Sequence, residues 1–201
     1  MAHERPNGSK NRKSFGAAPG ESRNRSLHLL DIENLVGVPP REASCECYGA
    51  AFADYLRWVK VAASDQLVWA SNPANVLKGT RVAQHMKVLP AKGPDGADIA
   101  LRQYAYASLG MDKIKKDFTT VYIGSGDHIF ADLVADLLAS GVDVCVVGRA
   151  RQVSSELESA SRYKVIYLPE HYHRSNVLVS LSDAALIESF LRRRAPEKYF
   201  P

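Results

Sequence analysis

Three aspartates stand at the ends of predicted secondary-structure elements, where their carboxylates could meet and hold a divalent cation. Asp31 ends the apolar run 27–30, Asp127 follows the apolar run 120–123, and Asp98 begins an amphipathic helical pattern. Clustered carboxylates repel one another, and Mg²⁺ or Mn²⁺ relieves that repulsion through hard oxygen ligands. Such a cation lowers the pKa of a bound water and polarises an oxygen of a substrate bound beside it.

The elements that must position these aspartates are predicted from short apolar runs separated by helical patterns. The runs cover 27–30, 66–70, 86–89, 120–123, 142–147 and 164–168. They are continuous in apolar residues instead of alternating with polar ones, as in strands that helices cover on both faces. Strands alternating with helices predict an α/β fold: a three-layer α/β/α sandwich with a mainly parallel central sheet.

A parallel sheet of this kind brings residues from distant parts of the chain to one edge. Function collects at the carboxyl ends of the strands, near the point where the strand order reverses. The first and fourth strands would lie side by side there, so Asp31 and Asp127 approach each other while Asp98 joins them from a helix start. We therefore expect the three aspartates to form one metal-binding site.

Basic side chains near these positions are the candidates for binding an anionic substrate. His128 directly follows Asp127 and is interpreted either as a contact to a phosphate or the metal, or as a helix cap. Arg149 and Arg151 follow the fifth predicted strand, so the same edge of the sheet should carry them. Both are candidate phosphate contacts.

Three short motifs carry a resemblance to a known family. They are Leu30-Asp31-Ile32-Glu33-Asn34-Leu35, the segment Lys92-Gly93 with Gly96 and Asp98, and Ser125-Gly126-Asp127 followed by Phe130. In this order and spacing the chain resembles the NYN-domain family, a branch of the PIN-like nucleases, over about residues 26–168. The resemblance implies a PIN-like, Rossmann-like domain that cleaves RNA with Mg²⁺ or Mn²⁺ held by Asp31, Asp98 and Asp127. It also implies that Asn34 and Ser125 are neighbouring polar contacts to the substrate.

Two positions depart from the family pattern and keep a second interpretation open. Many relatives carry an Asp two residues after the aspartate of Ser-Gly-Asp, where this chain has Ile129. Many carry another along the helix after Asp98, where this chain has Tyr104. The alternative is a non-catalytic RNA- or protein-binding module with a degenerate site. A metal-dependent phosphatase or nucleotide hydrolase on a similar sheet is a third interpretation.

Charge and composition divide the 201-residue chain into a tail and a domain. Lys and Arg total 26 and Asp and Glu total 22, and the whole excess of +4 lies in residues 1–25. We expect a disordered basic tail over 1–25, an α/β domain over 26–170, and a C-terminal loop and helix over 171–201 packed on that domain. No apolar run reaches the ~18 residues of a membrane span. The three cysteines and the polar start predict a cytoplasmic protein.

Overall fold

The structure is a computed structural model that describes residues 25–39, 42–76, 86–170 and 181–194. The predicted tail, apart from Arg25, lies outside these described residues. So do the predicted loop after residue 170, over 171–180, and the last residues, 195–201. In the segments that are described, no helix is both long and apolar enough to cross a bilayer.

Six parallel strands form the central sheet. They are β1 (Ser26–Asp31), β2 (Gln66–Ser71), β3 (Lys87–Pro90), β4 (Thr120–Gly124), β5 (Asp143–Arg149) and β6 (Val165–Leu168). Their order in the sheet is β3-β2-β1-β4-β5-β6, and every neighbouring pair is parallel. The predicted α/β fold with a parallel sheet is confirmed.

Helices cover both faces of this sheet, which makes the three layers of the predicted sandwich. They are α1 (Ile32–Val36), α2 (Cys45–Trp58), α3 (Pro73–Val76), α4 (Gly96–Gln103), α5 (Met111–Asp117), α6 (Ala131–Ala139), α7 (Ser155–Ala160) and α8 (Leu181–Arg194). A π-helical turn, Tyr104–Leu109, extends α4, and a 3₁₀ turn, His128–Phe130, precedes α6.

Each face of the sheet buries its own hydrophobic core. One core packs the sheet against α4, α5, α6 and α7. The other packs the sheet against α1, α2 and α8, where the Phe52 and Phe190 rings meet edge to face at 5.5 Å. Tyr48, Phe52 and Tyr55 recur at helical spacing along α2 and are fully buried, so one stripe of that helix faces the core.

The strand register determines which residues meet at the carboxyl edge of the sheet. Leu30 of β1 lies opposite Gly124 of β4, and Asp31 lies opposite Ala70 of β2. The chain runs outward from β1 to β3 and then returns to β4, so the strand order reverses between β1 and β4. Asp31 and the segment after Gly124 therefore emerge side by side at the switch point, where such sheets bind ligands.

Candidate functional site

Asp31 is held at the carboxyl end of β1 by its role as the N-cap of α1. Its Oδ1 accepts hydrogen bonds from the backbone amides of Glu33 at 3.1 Å and Asn34 at 3.3 Å. These bonds satisfy amide groups that a helix start leaves without partners. The residue is only 7% exposed, so the cap holds a carboxylate that is largely shielded from water.

Asp98 lies in the first turn of α4, near Asp31. Its carboxyl is close enough to that of Asp31 for its charge to raise the pKa of Asp31. Asp98 is 5% exposed, and its Oδ1 is buried without a hydrogen-bond partner in the part of the chain that the structure describes. An unpartnered carboxylate oxygen in such a place is costly unless a cation or water reaches it.

Asp127 is positioned by a tight network in the loop after β4. Its amide donates to the Ser125 hydroxyl at 3.2 Å, and its Oδ1 accepts from the Ile129 amide at 3.0 Å. The Asn34 side chain accepts from the amide of Gly126 at 2.9 Å, which ties this loop to α1. Ser125 is fully buried. Asn34 and Ser125 therefore accept backbone hydrogen bonds that hold the Ser-Gly-Asp loop beside Asp31.

The three aspartates differ in how strongly their surroundings disfavour ionisation. Burial and then the charge of Asp98 raise the pKa of Asp31 well above its ordinary value. Burial and then the charge of Asp127 raise the pKa of Asp98 to about 6. Two neighbouring acids in a buried site keep a proton at a pH where isolated carboxyls release theirs. Asp31 and Asp98 therefore form one charge-coupled pair, and Asp127 is within electrostatic range of Asp98.

The basic residues expected at this edge have three different environments. His128 is exposed, and its Nδ1 lies 3.0 Å from the Asp127 carboxylate. Arg151 is exposed, and its Nε lies 3.5 Å from the Glu170 carboxylate. Arg149 is only 3% exposed, and it donates through Nε to the Leu35 carbonyl at 2.8 Å and through Nη1 to the Pro169 carbonyl. Its position at the end of β5 is as expected, but these contacts are with protein backbone.

Arg149→Met is expected to lower the free energy of unfolding by about 2 kcal/mol, because it removes the donors to two backbone carbonyls. RNA affinity per folded molecule should stay unchanged, since this guanidinium faces backbone in the folded chain. Urea unfolding gives the first quantity, and fluorescence anisotropy with labelled single-stranded RNA gives the second. A variant with parental stability and weakened RNA binding would instead make Arg149 a phosphate contact.

Glu33 is a partly buried acid in α1, and the sequence did not indicate its structural role. Its Oε1 accepts hydrogen bonds from the hydroxyl of Ser71 at 2.7 Å, the amide of Asn72 at 2.8 Å and the side-chain amide of Asn75 at 3.0 Å. These partners lie at the end of β2 and just after it, about forty positions away in sequence, so no local pattern marks them. Glu33 thereby locks the end of β2 to α1 beside Asp31.

A second buried polar cluster lies at the opposite, amino-terminal edge of the sheet. The His28 ring places Nδ1 2.7 Å from the Tyr55 hydroxyl and Nε2 3.2 Å from the Asp65 carboxylate. Burial lowers the pKa of His28. Asp65 also accepts from the amides of Ser26 at 2.7 Å and Ala62 at 2.7 Å. The three side chains are buried, so this cluster joins the strand starts and does not face a substrate.

The two positions where the family pattern has further acids belong to the first core. Tyr104 is buried, and its hydroxyl accepts from the Gln66 side chain at 2.7 Å. Ile129 packs against the same core. Among residues 25–39, 42–76, 86–170 and 181–194, no group of three or more Asp, Glu, His or Cys side chains is arranged to hold a metal ion. The acidic site thus consists of one close pair, Asp31 and Asp98, with Asp127 beside it.

No protein-family model matches the chain, and no curated protein matches it significantly.

Proposed function

We propose that this protein is a metal-dependent ribonuclease that hydrolyses RNA phosphodiesters at Asp31, Asp98 and Asp127, as its resemblance to NYN-domain proteins implies. The observation that carries the proposal is the pair formed by Asp31 and Asp98. Two carboxyls, each more than nine-tenths buried, lie close enough for the charge of Asp98 to raise the pKa of Asp31, and one oxygen of Asp98 has no partner in the described chain. A fold keeps such an arrangement at a cost to stability, which a bound cation offsets.

The donor set fits Mg²⁺ or Mn²⁺. All three groups are carboxylates, which are hard oxygen ligands, and Mg²⁺ keeps several of its waters and commonly needs only one or two carboxylates from the protein. The pair Asp31 and Asp98 would hold the ion, with Asp127 adding negative charge beside Asp98. The bound cation would lower the pKa of a water and polarise a phosphoryl oxygen.

The protein's own residues prepare this site before any substrate arrives. The cap at Asp31 and the hydrogen bonds that Asn34 and Ser125 accept fix the two strand ends that carry Asp31 and Asp127. Because such groups are positioned by backbone, the carboxylates need little reorganisation when the cation binds. His128, exposed and bonded to Asp127, is the candidate contact to a phosphate oxygen at the rim.

A non-catalytic RNA- or protein-binding module is the second candidate, and a specific observation favours it. The described residues include no ready-made cluster of three metal ligands. The positions of Tyr104 and Ile129 supply core packing where relatives supply acids. This candidate predicts binding without metal-dependent cleavage.

Asp127→Asn is expected to abolish cleavage of single-stranded RNA in Mn²⁺ while RNA binding persists. The substitution removes one negative charge, and asparagine still caps the turn before α6. RNA held mainly by basic side chains should stay bound. Cleavage of labelled RNA is followed with Mn²⁺, with Mg²⁺ and with chelator. Asp112→Asn, which alters an exposed acid in the first turn of α5, is the matched control and should retain parental activity.

The same assay separates the two candidates. A parent protein that leaves several unrelated RNAs intact at saturating Mn²⁺, but binds them, is the binding module. A parent that neither binds nor cleaves RNA contradicts both. Cleavage that survives chelator, or that Asp127→Asn retains in full, contradicts the metal-dependent site.

A further inference from the structure

We propose that Arg102 is the phosphate-binding residue of this site, which holds an RNA phosphate against the Asp31–Asp98 pair. The inference rests on the proposed function, because it names the group that receives the substrate there. No motif that carries the family resemblance includes Arg102, and the contacts around it make the argument.

Arg102 is placed on the same side of its helix as Asp98. The two residues are four positions apart in α4, so their side chains are neighbours on one helical face. The positive charge of Arg102 acts on the Asp98 carboxyl and opposes the rise in its pKa. It also acts on the Tyr106 phenol, one turn further along. The spacing in α4 and these charge effects therefore place the guanidinium near Asp98 on one side and near Tyr106 on the other.

The Arg102 guanidinium is partly buried, and its N–H donors make only weak contacts in the described chain. The side chain is 29% exposed, and its Nε is buried without a hydrogen-bond partner in the described chain. Its recorded ion pair, from Nη2 to the Asp132 carboxylate, spans 3.8 Å, and Asp132 is 87% exposed. A charge-assisted hydrogen bond is about 1 Å shorter than this, and exposed ion pairs contribute little. A phosphate can therefore replace Asp132 at small cost.

A phosphate is the ligand that this chemistry favours. Guanidinium presents planar, paired N–H donors that match two oxygens of one phosphate. The site also needs such a cation, because three carboxylates repel a phosphodiester that must approach them. Of the arginines expected here, Arg149 donates to backbone carbonyls and Arg151 lies beyond the end of β5. Arg102 is one turn from Asp98 on the same helix, and its charge acts on the Asp98 carboxyl.

Arg102 is surrounded by acidic and aromatic side chains of α4, its π-helical turn and α6. Asp132 and Asp136 lie on α6, and the Tyr106 hydroxyl donates to Asp136 at 2.7 Å. Ile99 and Tyr106 are exposed apolar or aromatic side chains on either side of Arg102 along the helix. Single-stranded RNA suits such a surface, since its bases pack on apolar and aromatic side chains while a cation binds its backbone.

The test measures RNA binding separately from cleavage. Binding of a labelled single-stranded RNA is followed by fluorescence anisotropy at several salt concentrations, with every variant built on Asp127→Asn so that the RNA stays intact. Arg102→Gln should raise the Kd about tenfold or more, and should reduce the salt slope by roughly 0.7, the loss of one phosphate contact on a single strand. Arg102→Lys should keep the salt slope but raise the Kd severalfold, because the paired donors are lost.

Arg193→Gln is the matched control, because it removes one positive charge from α8 on the other face of the sheet. Arg193 donates to Ser189 within that helix, so its loss should leave Kd and salt slope near those of Asp127→Asn. Thermal unfolding of each variant identifies any structural effect of Arg102. In the cleaving parent, Arg102→Gln should raise KM far more than it lowers kcat.

Each outcome bears on the inference. If Arg102→Gln and Arg193→Gln give the same Kd and salt slope, Arg102 does not bind phosphate, whether or not the parent cleaves RNA. If the parent binds RNA through Arg102 but never cleaves it, the inference stands and the ribonuclease proposal is wrong. If the parent binds no RNA at low salt, both are wrong.

Discussion

Asp98→Asn is expected to lower the rate of Mn²⁺-dependent cleavage at least about a hundredfold. In the absence of metal, the same substitution is expected to stabilise the folded protein at neutral pH. The loss of activity follows from the loss of the carboxylate whose Oδ1 is buried and unpartnered in the described chain. The gain in stability follows from the same burial, because ionised Asp98 is held beside Asp31 and Asp127.

The pH dependence gives the sign of this stability effect. The pKa of Asp98 is raised to about 6 in the folded state, above its value near 4 in the unfolded chain. Folding then favours the protonated acid, so ionisation costs stability as the pH rises between about 4 and 6. Asn carries no such cost. The variant should be more stable than the parent by about 1–3 kcal/mol above pH 6, and the difference should vanish near pH 4.

Urea unfolding at pH 4, 6 and 8, with and without Mn²⁺, measures both parts of this prediction. Mn²⁺ at a hundred times its Kd should stabilise the parent by about 2.7 kcal/mol, and should stabilise Asp98→Asn much less. Asp112→Asn, an exposed acid on α5, should respond to pH and metal as the parent does. Equal stabilisation of parent and Asp98→Asn by Mn²⁺ would contradict the metal site, and a variant less stable than the parent at pH 8 would contradict the pH argument.

The strands were predictable because burial on both faces of a strand produces a pattern in the local sequence. A fully covered strand must be apolar at consecutive positions, so runs such as 120–123 and 142–147 coincide with β4 and β5 to within two residues at each end. The parallel direction of the strands followed from the same pattern, because a crossover through a helix joins parallel strands. The side-by-side placement of β1 and β4 then brought Asp31 close to the Ser-Gly-Asp loop.

The site was less predictable, because the partners of its side chains are distant in sequence. Arg149 follows the fifth strand as expected, but its guanidinium fills the space beside Gly37, where a Cβ would lie 2.7 Å from the arginine Cδ. That packing, with the bond to the Leu35 carbonyl, turns a candidate phosphate contact inward. For Arg102 the reverse holds. Its helical spacing from Asp98 could be read from the sequence, but only the structure shows that its ion pair, from Nη2 to Asp132, is as long as 3.8 Å.

Gly126→Ala is expected to have the largest effect on stability, a loss of about 3 kcal/mol from the free energy of unfolding. A Cβ at this position would lie 2.2 Å from the carbonyl oxygen of Gln152 and 2.6 Å from its carbonyl carbon. Both are backbone atoms, so no side-chain rotation relieves the overlap. The Ser-Gly-Asp loop is also bonded to the segment that follows Gln152, because the Ser154 amide donates to the Gly126 carbonyl at 2.9 Å.

Relieving that overlap must move the loop that carries Asp127. We therefore expect Gly126→Ala to lower both the free energy of unfolding and the cleavage activity of the folded protein. Gly96→Ala is the matched control, since its Cβ would meet Ala91 at 3.4 Å, an ordinary contact, at the first residue of α4. We expect Gly96→Ala to stay within about 1 kcal/mol of the parent. Urea midpoints measure both variants, and RNA cleavage per folded molecule measures the displacement of Asp127. A Gly126→Ala protein with the parental midpoint would show that the loop does not pack on Gln152, and the placement of Asp127 beside Asp98 would then lose its support.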